Sequence, residues 1–121
     1  KTYPLRLSDA VDCDSQMVVY AITCTLCAEV KQYVGQTTDF RKRMNNHRSC
    51  IRRGRREEGD CALLYSHFLL PDHSPDTLTF TILQTCPDVP SLLEAEARWM
   101  WKLNTISPSG LNTQDGFRNI I

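Results

Sequence analysis

Met17-Val18-Val19-Tyr20-Ala21-Ile22-Thr23 and, seven residues later, Lys31-Gln32-Tyr33-Val34-Gly35-Gln36 are the two runs on which the fold turns. The first is apolar and rich in β-branched residues, the signature of a buried strand. The second reads as another strand, and the gap between them suits a wide hairpin. Downstream, Thr38 is placed to N-cap a helix from about Asp39 to Arg52. In that helix Phe40, Met44, His47 and Ile51 share one face at helical spacing. Arg53 to Asp60 reads as a loop, and Cys61 to Leu70 as a short helix ended by Pro71. Thr77 to Leu83 alternates polar with apolar, marking a half-buried strand. Ser91 opens a helix to about Asn104, and Pro108 and Gly110 break any regular structure beyond it. Residues 1–14 read as an extended lead-in and 114–121 as a polar tail. The order strand, strand, helix, helix, strand, helix predicts an α+β domain, a small antiparallel sheet with helices packed on it.

The 121 residues are one domain's worth of chain, and the start at Lys1 reads as the start of a piece of something longer. The 41% hydrophobic and 23% charged content argues against disorder. No apolar run approaches a membrane span, and no signal-peptide pattern opens the chain. Six cysteines could form three disulfides, but without a secretion signal reduced thiols with some metal ligation fit better.

The zero net charge hides a dipole. Lys31, Arg41, Lys42, Arg43, Arg48, Arg52, Arg53, Arg55 and Arg56 face Asp39 alone between positions 31 and 56, a net +8, so the remainder carries −8. Such a stripe suits a phosphate backbone, whose neutralisation releases counterions. A solvated helix face with a charged loop accounts for it equally well.

The two acids of the last helix separate on physical grounds. Glu94 follows Ser91 at capping-box spacing and precedes Arg98 by four, so it has structural work. Glu96 has Leu92, Trp99 and Met100 around it, where an ionised carboxylate is costly unless paired or bound to a cation. His47 sits four after Arg43, so both side chains reach one region. Cys24-Thr25-Leu26-Cys27 is a C-x2-C knuckle in the hairpin connection, able to offer two sulfurs to one tetrahedral ion. His67 and His73 complete a Cys2His2 set, although 39 residues separate the pairs. Cys13, Cys50, Cys61 and Cys86 show no pairing pattern, and core packing is their default.

These pieces form an ordered series: Val18-Val19-Tyr20, Tyr33-Val34-Gly35, Arg43 and His47, Glu96 before Trp99, and Gly110-Leu111-Asn112. The series resembles the GIY-YIG nuclease domain over residues 17–113. The knuckle between the tripeptides and the later histidines look most like the endonuclease domain of Penelope-like retroelements. Val18 and Val19 stand where the family name has Gly and Ile, and Val34 replaces Ile.

The resemblance implies a DNA phosphodiester hydrolase using one divalent ion. It makes Glu96 the ligand of Mg²⁺ or Mn²⁺ and Arg43 the guanidinium facing the phosphate. Tyr20 is implied as general base, with Tyr33 orienting water or phosphate, and Asn112 fixing the site from the C-terminal turn. A phenol is a poor base at pH 7, so His47 competes as base or relay. Cys24, Cys27, His67 and His73 would hold a structural Zn²⁺, and the basic stripe, Lys31 included, would meet DNA. By the same resemblance the partner is a reverse transcriptase on one polypeptide, the nick supplies its primer, and the setting is nuclear and reducing. Two other readings stand beside it: a catalytically silent DNA-binding module derived from such a nuclease, and a zinc-stabilised protein-interaction domain.

Overall fold

The computed structural model of the chain describes residues 17–54 and 61–113. The lead-in, the tail, Cys13, Arg55 and Arg56 lie outside the described residues. Three strands, β1 (Val18–Cys24), β2 (Gln32–Thr37) and β3 (Leu78–Thr85), form one antiparallel sheet in the order β2-β1-β3. Three helices, α1 (Phe40–Arg52), α2 (Ala62–His67) and α3 (Val89–Leu103), cover it, and a 3-10 turn at Pro75–Thr77 leads into β3. The expected α+β architecture is what the chain adopts.

The apolar run of β1 is explained by its central place, because a strand covered on both faces has no solvent side to alternate toward. Val18, Tyr20 and Ile22 point to one face, where they pack with Phe40, Met44 and Ile51 of α1, Leu64 and Tyr65 of α2, and Phe80 of β3. Val19 points to the other face and packs with Val34, Leu92, Ala95 and Met100. The sheet is thus clasped between α1 with α2 on one side and α3 on the other. Each fully buried Val, Ile or Leu in these layers is worth about 1.5–3 kcal/mol of transfer free energy. Next to Tyr20 the β1–β3 register slips: Val19 faces Gln84 whereas Tyr20 faces Ile82. An extra residue at that point is a bulge, a device that re-aims a side chain and sharpens the local twist.

Several helix ends differ from the expectation. The N-cap of α1 is Asp39, whose carboxylate accepts from the Lys42 N–H at 3.1 Å; Thr38 is exposed outside it. Helix α3 starts before Ser91, with Asp88 as N-cap accepting from the Ser91 N–H at 2.9 Å. Pro90 sits inside the first turn, where no N–H is needed, so it does not break the helix. Ser91 and Glu94 therefore form no capping box, and Glu94 instead pairs with Arg98 at 3.7 Å in the solvent. Helix α2 is six residues, shorter than the 61–70 span expected, because the chain leaves it at Phe68 before Pro71.

Candidate active site and metal centre

Tyr20 lies on β1 opposite Gly35 of β2, and its ring crosses that glycine. The crossing aims its hydroxyl at α1, where Oη sits 2.6 Å from His47 Nε2. Arg43, one turn before His47, stands close enough for its charge to act on the same phenol. Tyr33 closes the group from β2, its ring 5.9 Å from the imidazole and 6.4 Å from the Tyr20 ring. The (i, i+4) spacing of Arg43 and His47 on one helix face is what lets both meet one strand residue.

Tyr20, Tyr33 and His47 are buried and Arg43 is half-buried, and burial sets the protonation states. His47 is completely enclosed, and burial together with the Arg43 cation holds its pKa down to about 3. It is a neutral imidazole at pH 7. Burial pushes the Tyr20 phenol well above its ordinary value, against the opposing pull of Arg43. Tyr33 is likewise raised, first by burial and then by the neighbouring Tyr20. Burial works against the Arg43 charge, but Tyr20 and Cys61 more than offset it and keep the guanidinium cationic. Glu96 is buried on α3 near enough for its charge to be felt at Tyr20.

Asn112 serves this cluster from a distance. Its Oδ1 accepts from the Val34 N–H at 2.8 Å and from Thr105 Oγ1 at 2.7 Å, and its Nδ2 donates to the Val34 carbonyl at 2.9 Å. The Leu111 N–H adds a bond to the Gln32 carbonyl at 2.9 Å. The C-terminal turn is therefore stitched to β2 on either side of Tyr33.

Two residues of the site escaped the sequence reading. Cys61, read as a core thiol, is half-exposed, with Sγ 3.3 Å from Arg43 Nη2 and 3.6 Å from Tyr33 Oη. It stands just before α2 at the cluster, while Cys50 and Cys86 are buried as expected. Tyr65 of α2 places Oη 2.9 Å from His47 Nδ1. No motif flags either residue; only the docking of α2 against α1 brings them in.

A model of the GIY-YIG catalytic domain matches residues 16–112. The chain belongs to the GIY-YIG catalytic domain family. No curated protein and no solved structure matches it. A GIY-YIG domain implies nuclease activity on DNA. Among the described residues of this one, no helix is long and apolar enough to cross a membrane.

A groove of about 690 Å³ runs past the N-terminal half of α1 in the GIY-YIG domain, lined by Thr37, Asp39, Lys42, Arg43, Asn45 and Asn46 among others. Arg43 belongs to both the groove and the buried cluster. Arg41, Lys42, Arg52 and Arg53 are exposed along α1 and its end. Arg48 is half-buried, its guanidinium 5.0 Å above the Phe80 ring, and Lys31 lines a separate hollow with His67 and Leu111.

The metal-ligand set comes together because β1 pairs with β3. Cys24 faces Leu78, and the Thr25 N–H bonds the Thr77 carbonyl at 2.9 Å, which brings the hairpin knuckle against the segment carrying His73. The donor atoms of Cys24, Cys27, His67 and His73 all lie within 4.8 Å of one another. Cys24 Sγ and Cys27 Sγ are 3.7 Å apart, and Cys27 Sγ lies 3.5 Å from His67 Nε2 and 3.6 Å from His73 Nε2. A tetrahedral ion with zinc's bond lengths demands edges of about 3.8 Å between sulfurs and about 3.6 Å between sulfur and nitrogen. His73 Nδ1 donates to the Pro71 carbonyl at 3.0 Å, which leaves Nε2 bare for a metal. Burial, then His73 and Lys31, hold His67 below its ordinary value, in the neutral form that ligates. The cluster could hold a metal, and its donor set fits zinc.

Proposed function

We propose that this domain is a divalent-metal-dependent DNA endonuclease that nicks its target to prime reverse transcription of a Penelope-like retroelement. The observation that carries the nuclease part is the buried Tyr20–His47 contact of 2.6 Å beside Arg43, which itself lines the groove along α1. Tyr20 sends its proton to His47 Nε2 as its oxygen takes one from the attacking water. The neutral imidazole has a free lone pair for this, and Arg43 steadies the negative charge that builds on the phenol oxygen during the transfer and on the phosphate. Glu96 is the oxygen ligand suited to Mg²⁺ or Mn²⁺, hard cations that keep most of their waters. When bound, that ion supplies charge compensation at the leaving oxygen. Arg41, Lys42, Arg52 and Arg53 take the phosphates on either side, with Arg48 and Lys31 at the margins.

In this reading zinc sits at Cys24, Cys27, His67 and His73 and is structural, because four protein ligands leave it no open position. The nuclear, reducing setting belongs to the same proposal, and the Cys2His2 set supports the retroelement assignment with a reverse transcriptase on the same polypeptide. The deciding test is nicking of supercoiled plasmid with Mg²⁺ or Mn²⁺ by the wild type and by Glu96→Ala. The wild type nicks and the variant binds DNA without nicking. Wild-type binding with no nicking in either ion would make the domain a silent DNA-binding module.

A further inference from the structure

We propose that Tyr65 is the positioning residue that fixes the tautomer of His47, accepting a hydrogen bond from Nδ1 so that Nε2 stays bare toward Tyr20. The inference rests on the nuclease reading for its purpose and on the hydrogen-bond geometry for its content. His47 has two ring nitrogens and two tyrosine partners, Tyr20 Oη on Nε2 at 2.6 Å and Tyr65 Oη on Nδ1 at 2.9 Å. A neutral ring carries one proton, so one nitrogen donates and the other accepts.

The direction follows from the cation beside Tyr20. The Arg43 cation acts on the Tyr20 phenol, so the phenol oxygen turns its lone pairs toward that charge and its O–H toward Nε2. With Nε2 accepting from Tyr20, the single proton of the neutral ring lies on Nδ1, and the Tyr65 oxygen accepts it. The imidazole is enclosed and beside a cation, which independently favours the neutral form.

The step this serves is a simple transfer. The Tyr20 O–H bond breaks, an Nε2–H bond forms with the ring's lone pair, and the Nδ1–H bond stays in place on Tyr65. With the opposite tautomer Nε2 would already be protonated, and Tyr20 would have no acceptor. A histidine partner of this type is worth about 10- to 100-fold in sites where the ring's second nitrogen is held by a neighbour.

Two measurements on the full chain test it. Nitrogen-15 NMR of the wild type should show His47 with a protonated Nδ1 and a bare Nε2, and Tyr65→Phe should turn this into a mixture of tautomers. In single-turnover plasmid nicking, Tyr65→Phe should lose roughly 10- to 100-fold in rate with DNA affinity unchanged. In a His47→Ala background the same substitution should cost nothing further. A protonated Nε2 in the wild type overturns the proposal, as does an unchanged tautomer in Tyr65→Phe or an equal rate loss in both backgrounds. A wild type that does not nick sinks the nuclease reading instead, and the NMR result still decides the role of Tyr65.

Discussion

Gly35→Ala should disable the site while leaving the fold standing. A Cβ at Gly35 would lie 2.5 Å from Tyr20 Oη, 2.6 Å from its Cζ and 2.9 Å from Tyr33 Cε2. Comfortable contact between such atoms begins at about 3.5 Å, so the ring must retreat by about 1 Å. The β2 backbone cannot yield in its place, because Asn112 holds both the N–H and the carbonyl of Val34. Tyr20 Oη stands 2.6 Å from His47 Nε2, and the same retreat carries it beyond hydrogen-bond reach. A misplacement of about 1 Å at a reacting group costs on the order of 100-fold in rate. The overpacking itself costs about 1–3 kcal/mol of stability. The assay is single-turnover nicking of supercoiled plasmid, with DNA affinity and thermal melting measured on the same samples. A variant that stays folded, binds DNA and nicks at the wild-type rate would refute the reasoning, because Tyr20 would then need neither its place nor its partner.

Removing metal should unfold the domain as well as silence it, since a Cys2His2 site contributes its binding free energy to folding. Metal analysis should find one zinc per chain in the wild type and none in Cys27→Ser; an unaltered melting curve after complete zinc removal would reject a structural role. Acid should weaken the fold through His47, whose pKa is held at about 3 in the folded chain by burial and by Arg43. Between about pH 6.5 and 3 the unfolded chain takes up a proton that the folded one refuses. The His47 contribution is therefore complete above pH 6.5 and falls by up to about 1.4 kcal/mol per pH unit below it. Urea unfolding across this range should show a shallower pH slope for His47→Gln, and identical slopes would exclude His47 as the cause.

What could be read from the sequence was whatever depends on near neighbours. The strands announced themselves because β1 is central and apolar, and β3 alternates as a half-covered strand must. Arg43 and His47 share a face by helical spacing alone. The metal set was legible as two local pairs, and β1–β3 pairing then closed the 39-residue gap. The errors lie where several residues offer the same local chemistry. Asp39 outcompetes Thr38 as a cap, and Asp88 outcompetes Ser91 because a proline in the first turn does no harm. Cys61 and Tyr65 were beyond reach for another reason. Each acts through a partner at least 18 positions away, across a helix–helix contact that no periodicity encodes.

The bonds that Asn112 and Leu111 make to β2 have a second effect, on how the molecule meets its own kind. β2 is an outermost strand, and the unpaired peptide groups of such strands are templates on which separate molecules join their sheets. Here the Gln32 carbonyl and both polar groups of Val34 are already occupied, one by a backbone N–H and two by a side-chain amide shaped like a peptide. An incoming strand finds no free ladder there. The turn that steadies Tyr33 also guards this side of the sheet against edge-to-edge aggregation.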